Sequence, residues 1–246
     1  MERHFEQELD KLNKRLIKMG NLVALQVHNA LEALLNCDLD LARTVIENDN
    51  KVDRLDVKID KLCQRIFALT QPVATDLRLI MAALKMNNDL ERMGDQAVNI
   101  ASKVEGISEY REITGTLHMD ELAGMADMIV QDVNTLIGNR NPVFVRDIFQ
   151  MANLIEDKAQ AISTRIFDEM MHKSEVIMVA THLLIVLTQI ERIAGYSTNI
   201  AESVYFIAEG KMIKHKKTFR SGVDTLPGAD MDSTVHPSDE NTAEQS

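Results

Sequence analysis

The chain has 246 residues, with 38 acidic against 27 basic side chains and a net charge of −11. That balance disfavours non-specific nucleic-acid binding, which wants clustered lysine and arginine, and favours solubility, cation binding or a basic partner surface. No tryptophan, 4% aromatics, 10 glycines and 4 prolines argue against a β protein and for long helices.

In chain order, the opening Met1-Glu-Arg-His-Phe-Glu6 lacks a charged-then-apolar signal segment. No apolar run reads as the ~20 residues of a membrane span, so the expectation is a soluble cytoplasmic protein. A first helix is predicted over about 5–36, with Phe5, Leu9, Leu12, Leu16, Met19, Val23 and Ala30 on one stripe and a gap at Gln26. A second, over about 40–69, carries Val52, Leu55, Ile59, Leu62, Ile66 and Leu69. After Pro72, Thr75 is the predicted cap of a third helix, whose stripe Leu79, Ala83, Met86, Leu90, Met93, Ala97, Ile100, Val104 is unbroken. The fourth helix covers about 116–137 and ends near Gly138. Beyond Pro142 the fifth runs to about 171, with Val145, Ile148, Ala152, Ile155, Ala159, Ile162 and Ile166 inward. Ser174 is the predicted cap of the sixth, with Val179, Leu183, Val186, Ile190, Ile193, Ile200 and Val204. The 14 methionines read as flexible apolar filler between helices. Cys37 and Cys63 lack metal-site spacing and are expected reduced and buried. From about His215 the pattern becomes polar, acidic and aperiodic, which predicts disorder.

Asn88-Asp-Leu-Glu-Arg-Met-Gly-Asp-Gln-Ala-Val-Asn-Ile-Ala101 returns, altered, one hundred residues later as Thr188-Gln-Ile-Glu-Arg-Ile-Ala-Gly-Tyr-Ser-Thr-Asn-Ile-Ala201. Such a return marks an internal duplication. The predicted fold is all-α: two tandem three-helix bundles made of six long antiparallel helices. The boundaries are 1–108 and 109–213, with the tail at 214–246.

Asn88, Glu91, Asp95, Asn99 and Ser102 form a second stripe on the third helix, away from the apolar one, so these groups are expected to face water. The second helix repeats the pattern with Asp49, Asp53, Asp56 and Asp60. Acidic stripes are ordinarily solvated helix faces. Here, though, the i,i+4 pairs Asp49/Asp53, Asp56/Asp60 and Glu91/Asp95 place like charges together, a repulsion that a cation would relieve. Offset by one hundred, the second-helix acids become Phe149, Asn153, Glu156 and Gln160, where Glu156 matches Asp53 or Asp56. Glu191 keeps its acid, but Gly195 stands where Asp95 would fall. Any metal should therefore prefer the first repeat.

Taken together, these residues resemble the PhoU family of phosphate-uptake regulators. The resemblance rests on Gln71-Pro-Val-Ala-Thr-Asp-Leu-Arg78, on Leu90-Glu-Arg-Met-Gly-Asp95 followed by Asn99-Ile-Ala101, and on His4-Phe5 and Met19-Gly20. It covers about 1–212. It implies two fused three-helix bundles in a cytoplasmic, often dimeric protein, membrane-peripheral through its partners. It implies metal, multinuclear iron in some members, on surface carboxylates. Carried over, the ligands are Asp49, Asp53, Glu91 and Asp95, with Glu191 and Glu156 surviving in the second repeat. Iron, manganese, zinc or magnesium are the candidate ions. The partners implied are the ATPase of a phosphate ABC transporter (PstB-like) and a sensor histidine kinase (PhoR-like), both held down when phosphate is plentiful.

Arg78, Arg92 and Arg192 are candidates to meet a phosphate or a partner carboxylate, against the plainer reading of salt bridges within the bundle. Glu169-Met-Met-His172 is a single Glu-x-x-His, whereas di-iron bundles use two. No phosphate-binding glycine loop, nucleophile elbow or zinc-protease motif is present. A non-enzymatic regulator acting by contact is the expected function. A metal-binding helical scaffold unrelated to phosphate is the alternative.

Overall fold

The structure, a computed structural model, describes residues 2–69 and 72–213. Gln71, the side chain of His4 and the tail from 214 lie outside the described residues. Those described contain eight α-helices and no strand. The six long ones are α1 (Glu2–Asn36), α2 (Leu39–Leu69), α3 (Ala74–Ala101), α6 (Met119–Asn139), α7 (Val145–His172) and α8 (Ile177–Glu209). Between the halves run two short helices, α4 (Val104–Ser108) and α5 (Arg111–Thr116). They were not predicted, because one turn gives no period to read. The first buries Val104 and Ile107.

Helices α1, α2 and α3 pack together, as do α6, α7 and α8. The predicted stripes of α3 and α8 are buried throughout, each large aliphatic side chain contributing about 1.5–3 kcal/mol. On α2, Leu69 is exposed where its stripe predicts burial, at the last residue of the helix. Cys63 is buried, but Cys37 is only half-buried, in a left-handed turn (φ 54°) between α1 and α2. Neither predicted cap forms. Val73 holds the extended position before α3, leaving Thr75 in the first turn, where its Oγ1 accepts from Arg78 at 3.2 Å. Ser174 begins a 3-10 turn that precedes α8. The 3-10 turn Pro142–Phe144 that leads into α7 is capped by Asn141, whose Oδ1 accepts from the Val143 amide at 3.1 Å, with Pro142 next in line.

The bundles join along two antiparallel seams, α1 against α6 and α3 against α8. On the first seam Asn134 donates to Asn21 (2.7 Å) and Arg140 to Asn13. On the second, Lys85 meets Glu202 (3.6 Å) and Asn199 reaches Asp89 (3.4 Å). Further along the second seam Arg92 meets Tyr196, and Gly106 lies under the ring of His182. These pairs run in opposite directions and centre on Gly94 and Ala194, duplicates one hundred positions apart. An approximate two-fold axis therefore relates the bundles. The buried side chains of both belong to one continuous core.

Contrary to the sequence expectation, one helix is long and apolar enough to cross a membrane by length and composition: the stretch Ser174–Glu209, which includes α8. One face of it is spent inside the protein, while Ile177 and Met178 stay exposed. Val179, Leu183, Val186, Ile190, Ile193 and Val204 are all buried against neighbouring helices.

Candidate functional site

The outward stripe of α2 and that of α3 face each other in antiparallel register. Asn87 of α3 anchors one end, its Nδ2 donating to Asp56 (2.6 Å) and Asp60 (3.1 Å). At the other end Gln26 of α1 donates to Asp49 at 2.9 Å. This glutamine is the gap in the first apolar stripe. It is almost fully buried, and its amide is spent on orienting an acid. Gly94 faces this end: a Cβ at that position would make ordinary contact, 3.4 Å from Val52 and 3.7 Å from Asp49 Oδ1.

Between the anchors, Asp49, Asp53, Asp56, Glu91 and Asp95 feel one another. Partial burial pushes the Asp95 carboxyl above its ordinary range, and the charges of Asp49 and Asp53 push it further. Glu91 is raised by burial and then by Asp95, Asp56 and Asp53, with Arg92 opposing. Asp56 is raised by burial, Asp60 and Asp53, while the Asn87 hydrogen bond opposes. Among the described residues none of Asp49, Asp53, Glu91 or Asp95 forms an ion pair with lysine or arginine. Nor is any group of three His, Cys, Asp or Glu among them gathered tightly enough to hold an ion as it stands. The face is thus a set of neighbouring carboxylates on two packed helices. That suits a hard cation, which would draw them in.

The second bundle settles the register that the sequence left open. Leu55, Ile59, Leu62 and Ile66 coincide, one hundred residues on, with Ile155, Ala159, Ile162 and Ile166, all buried. Glu156 therefore stands where Asp56 does. It faces Glu191, whose carboxyl is raised by burial and by Glu156. Phe149, Asn153 and Gly195 occupy the places of Asp49, Asp53 and Asp95, so two acids remain where the first bundle has five.

The arginines divide. Arg78 is half-buried and lies against Gly210, the left-handed residue (φ 66°) ending α8, so its charge serves a helix C-terminus. Arg92 is exposed and meets Tyr196, whose hydrogen bond and charge raise its pKa. Arg192 is exposed, with no ion pair among the described residues.

Sequence reasoning passed over Asp89, which is buried on the α3–α8 seam. Its Oδ2 meets no donor among the described residues, and burial lifts its pKa to about 6 despite Lys85, Asn199 and Arg92. Its place off the apolar stripe hid it, since only the partner bundle covers it.

The family model of the PhoU domain matches the chain twice, at residues 16–104 and 119–204. The chain belongs to the PhoU family. Among similar proteins, the phosphate-specific transport system accessory protein PhoU homologue of Rhizobium meliloti is 34% identical over 213 residues, covering 84% of this chain and 87% of the relative. Its counterpart from Zymomonas mobilis is 30% identical over 212 residues, covering 86% and 90%. The crystal structure of PhoU from Pseudomonas aeruginosa superposes with a TM-score of 0.81 at 29% identity, over 84% of this chain and all of that one. The phosphate transport system regulatory protein PhoU from Streptococcus pneumoniae gives 0.78 at 27%, over 85% and 99%. Within the PhoU frame, both halves match the same domain while their outward faces differ in charge.

Proposed function

We propose that this chain is a non-enzymatic negative regulator of phosphate uptake and of the phosphate-starvation response. It acts by contact, coupling the ATPase of a phosphate ABC transporter to a sensor histidine kinase. The support is membership of the PhoU family together with relatives named phosphate-specific transport system accessory proteins. The outward placement of the acids favours contact over catalysis, since bundle enzymes hold their metal ligands on the inner face.

In this reading Asp49, Asp53, Glu91 and Asp95 would hold a divalent or trivalent cation on the first bundle. Such an ion would neutralise the like charges that these carboxylates bring together. Gln26 and Asn87 orient the carboxylates at either end. Glu156 and Glu191 hold an ion weakly or not at all. Arg92 and Arg192 present exposed cations to a partner's carboxylates or phosphate, and two copies pair as a homodimer.

Deleting the gene and assaying alkaline phosphatase in phosphate-rich medium tests the regulatory reading. Derepression, restored by the wild-type gene, is the expected result; an unchanged low activity would return the protein to the class of metal-binding scaffolds.

A further inference from the structure

Helices α6 and α7 pack side by side in antiparallel register. Lys158 of α7 donates to Glu121 of α6, and about three turns along Asp147 faces Asp132. The same number of residues separates the two contacts on each helix, so the register holds between them. It sets Met128 beside Met151 and Met125 beside Leu154. Positions 121, 125, 128 and 132 fall on one edge of α6, and 147, 151, 154 and 158 on the facing edge of α7. Met128 is 51% exposed and Leu154 55%. Met125 and Met151 are partly buried and rest on the core. The strip is thus apolar in the middle and acidic at one end. Lys158 is spent on Glu121. Among the described residues neither Asp132 nor Asp147 forms an ion pair with lysine or arginine. Burial, and then the charge of Asp147, raises the Asp132 carboxyl. The first bundle supplies the contrast. At the duplicates of Met151 and Leu154 it exposes Lys51 and Arg54, so packing of the repeat does not demand apolar side chains there.

We propose that the α6–α7 strip docks a basic amphipathic helix of a partner protein. Such a helix lays apolar side chains, one turn apart, along an apolar strip of this kind. Methionines are unbranched and polarisable, so Met125, Met128 and Met151 can reshape around the incoming side chains. Lysines or arginines flanking the apolar face of the partner helix would neutralise Asp132 and Asp147, whose charges nothing in the bundle offsets. Charge also decides against the other occupants. An anionic lipid surface is repelled by the same two carboxylates, and a second copy of this chain, with its net charge of −11, brings acids rather than bases. The strip lies on the second bundle, apart from the α2–α3 acids, so it stands whether or not the phosphate reading holds. The duplicates divide the work: the first bundle gathers carboxylates on α2 and α3, and the second offers a partner surface on α6 and α7.

The test uses the full-length chain and a fluorescein-labelled helical peptide of about 18 residues, with leucine on one face, lysine on the other and a benzophenone at one leucine position. Fluorescence anisotropy measures its affinity, and mass spectrometry locates the photo-crosslink. Crosslinks to Met125–Met128 and Met151–Leu154 are expected, with binding weakened by salt. Met128→Ser with Leu154→Ser, both at exposed positions, should weaken binding by about tenfold or more. Asp132→Asn with Asp147→Asn should weaken it by about threefold to tenfold. Asp10→Asn with Asp40→Asn removes the same charge from exposed sites on the first bundle and should leave the affinity unchanged. Crosslinks elsewhere, an equal loss in the Asp10/Asp40 variant, insensitivity to the Met128/Leu154 change, or equal binding of a peptide with glutamate in place of lysine would each overturn the proposal. So would self-association of the chain that Met128→Ser with Leu154→Ser abolishes, which would make a second copy the occupant.

Discussion

At position 53 the first bundle carries aspartate and at the duplicate position 153 the second carries asparagine; at 95 and 195 the contrast is aspartate against glycine. Inside, the same offset preserves the core. Leu55, Ile59, Leu62 and Ile66 have buried apolar counterparts at every place. Packing constrains volume at each inward position, so the duplicates stay alike there. The outward face answers only to what it binds, and it has diverged. Asp89 and its duplicate Gln189 tell the same story on the seam, where a buried carboxyl in one half is a buried amide in the other.

The largest predicted effect separates the two faces by metal. At a thousandfold excess over its dissociation constant an ion adds about 4 kcal/mol to the native state, which for a chain of this size corresponds to about 8–16 °C in Tm. Titrating manganese, iron or zinc should raise the melting temperature of the wild type by about that much. Asp53→Asn with Asp95→Asn should lose most of the rise, whereas Glu156→Gln with Glu191→Gln should keep it. An equal loss in both double variants would erase the difference between the bundles.

Next in size is the pH response of Asp89. Its folded-state pKa is raised from 3.8 to about 6 by burial. Below 3.8 the group is protonated in both folded and unfolded chains and contributes nothing. As pH rises from 3.8 to about 6, the unfolded chain ionises more readily, and the native state loses on the order of 3 kcal/mol. Asp89→Asn, which copies the amide character of Gln189, should therefore gain stability relative to wild type across that window. Urea unfolding at pH 4 and pH 7 measures it; a difference between the two proteins that is the same at both pH values would show that Asp89 is not the source.

A smaller effect comes from rebuilding the missing acid. A Cβ at Gly195 would meet nothing within 4 Å, and aspartate replacing glycine in a helix interior recovers a few tenths of a kcal/mol. Gly195→Asp should leave the fold intact and, beside Glu191 and Glu156, add a second, weaker ion to the binding stoichiometry measured by calorimetry. An unchanged stoichiometry would mean that Phe149 and Asn153, not Gly195, keep the second face closed.

Period and repeat were enough to read six helices, their inward residues and the pairing of two acidic stripes, because each of those signals extends over many turns. What escaped has a common cause. Gln26 looked like a flaw in an apolar stripe, since nothing in α1 reveals that Asp49 lies opposite it. Asp89 sits on a face that is polar until a second bundle covers it. Helices α4 and α5 are too short for any period, and Leu69 fits its stripe but ends its helix exposed. Long-range neighbours decide all four.

The subtlest test concerns the metal-free first face. Burial and the charges of Asp49 and Asp53 both raise Asp95, so ionising it costs the native state stability as pH rises above the ordinary carboxylate range. Asp95→Asn removes that cost. With metal stripped by chelator, the variant should be more stable than wild type at pH 7 by a few tenths of a kcal/mol and indistinguishable from it at pH 3, where the carboxylates are protonated. The sign must invert once metal is added, because the same carboxylate then becomes a ligand. Of the two duplicates only the first can show this inversion, since Gly195 has no charge to remove. A variant less stable than wild type in both states would mean that Asp95 supports the helix pair through packing, and that the repulsion inferred across α2 and α3 is screened by water.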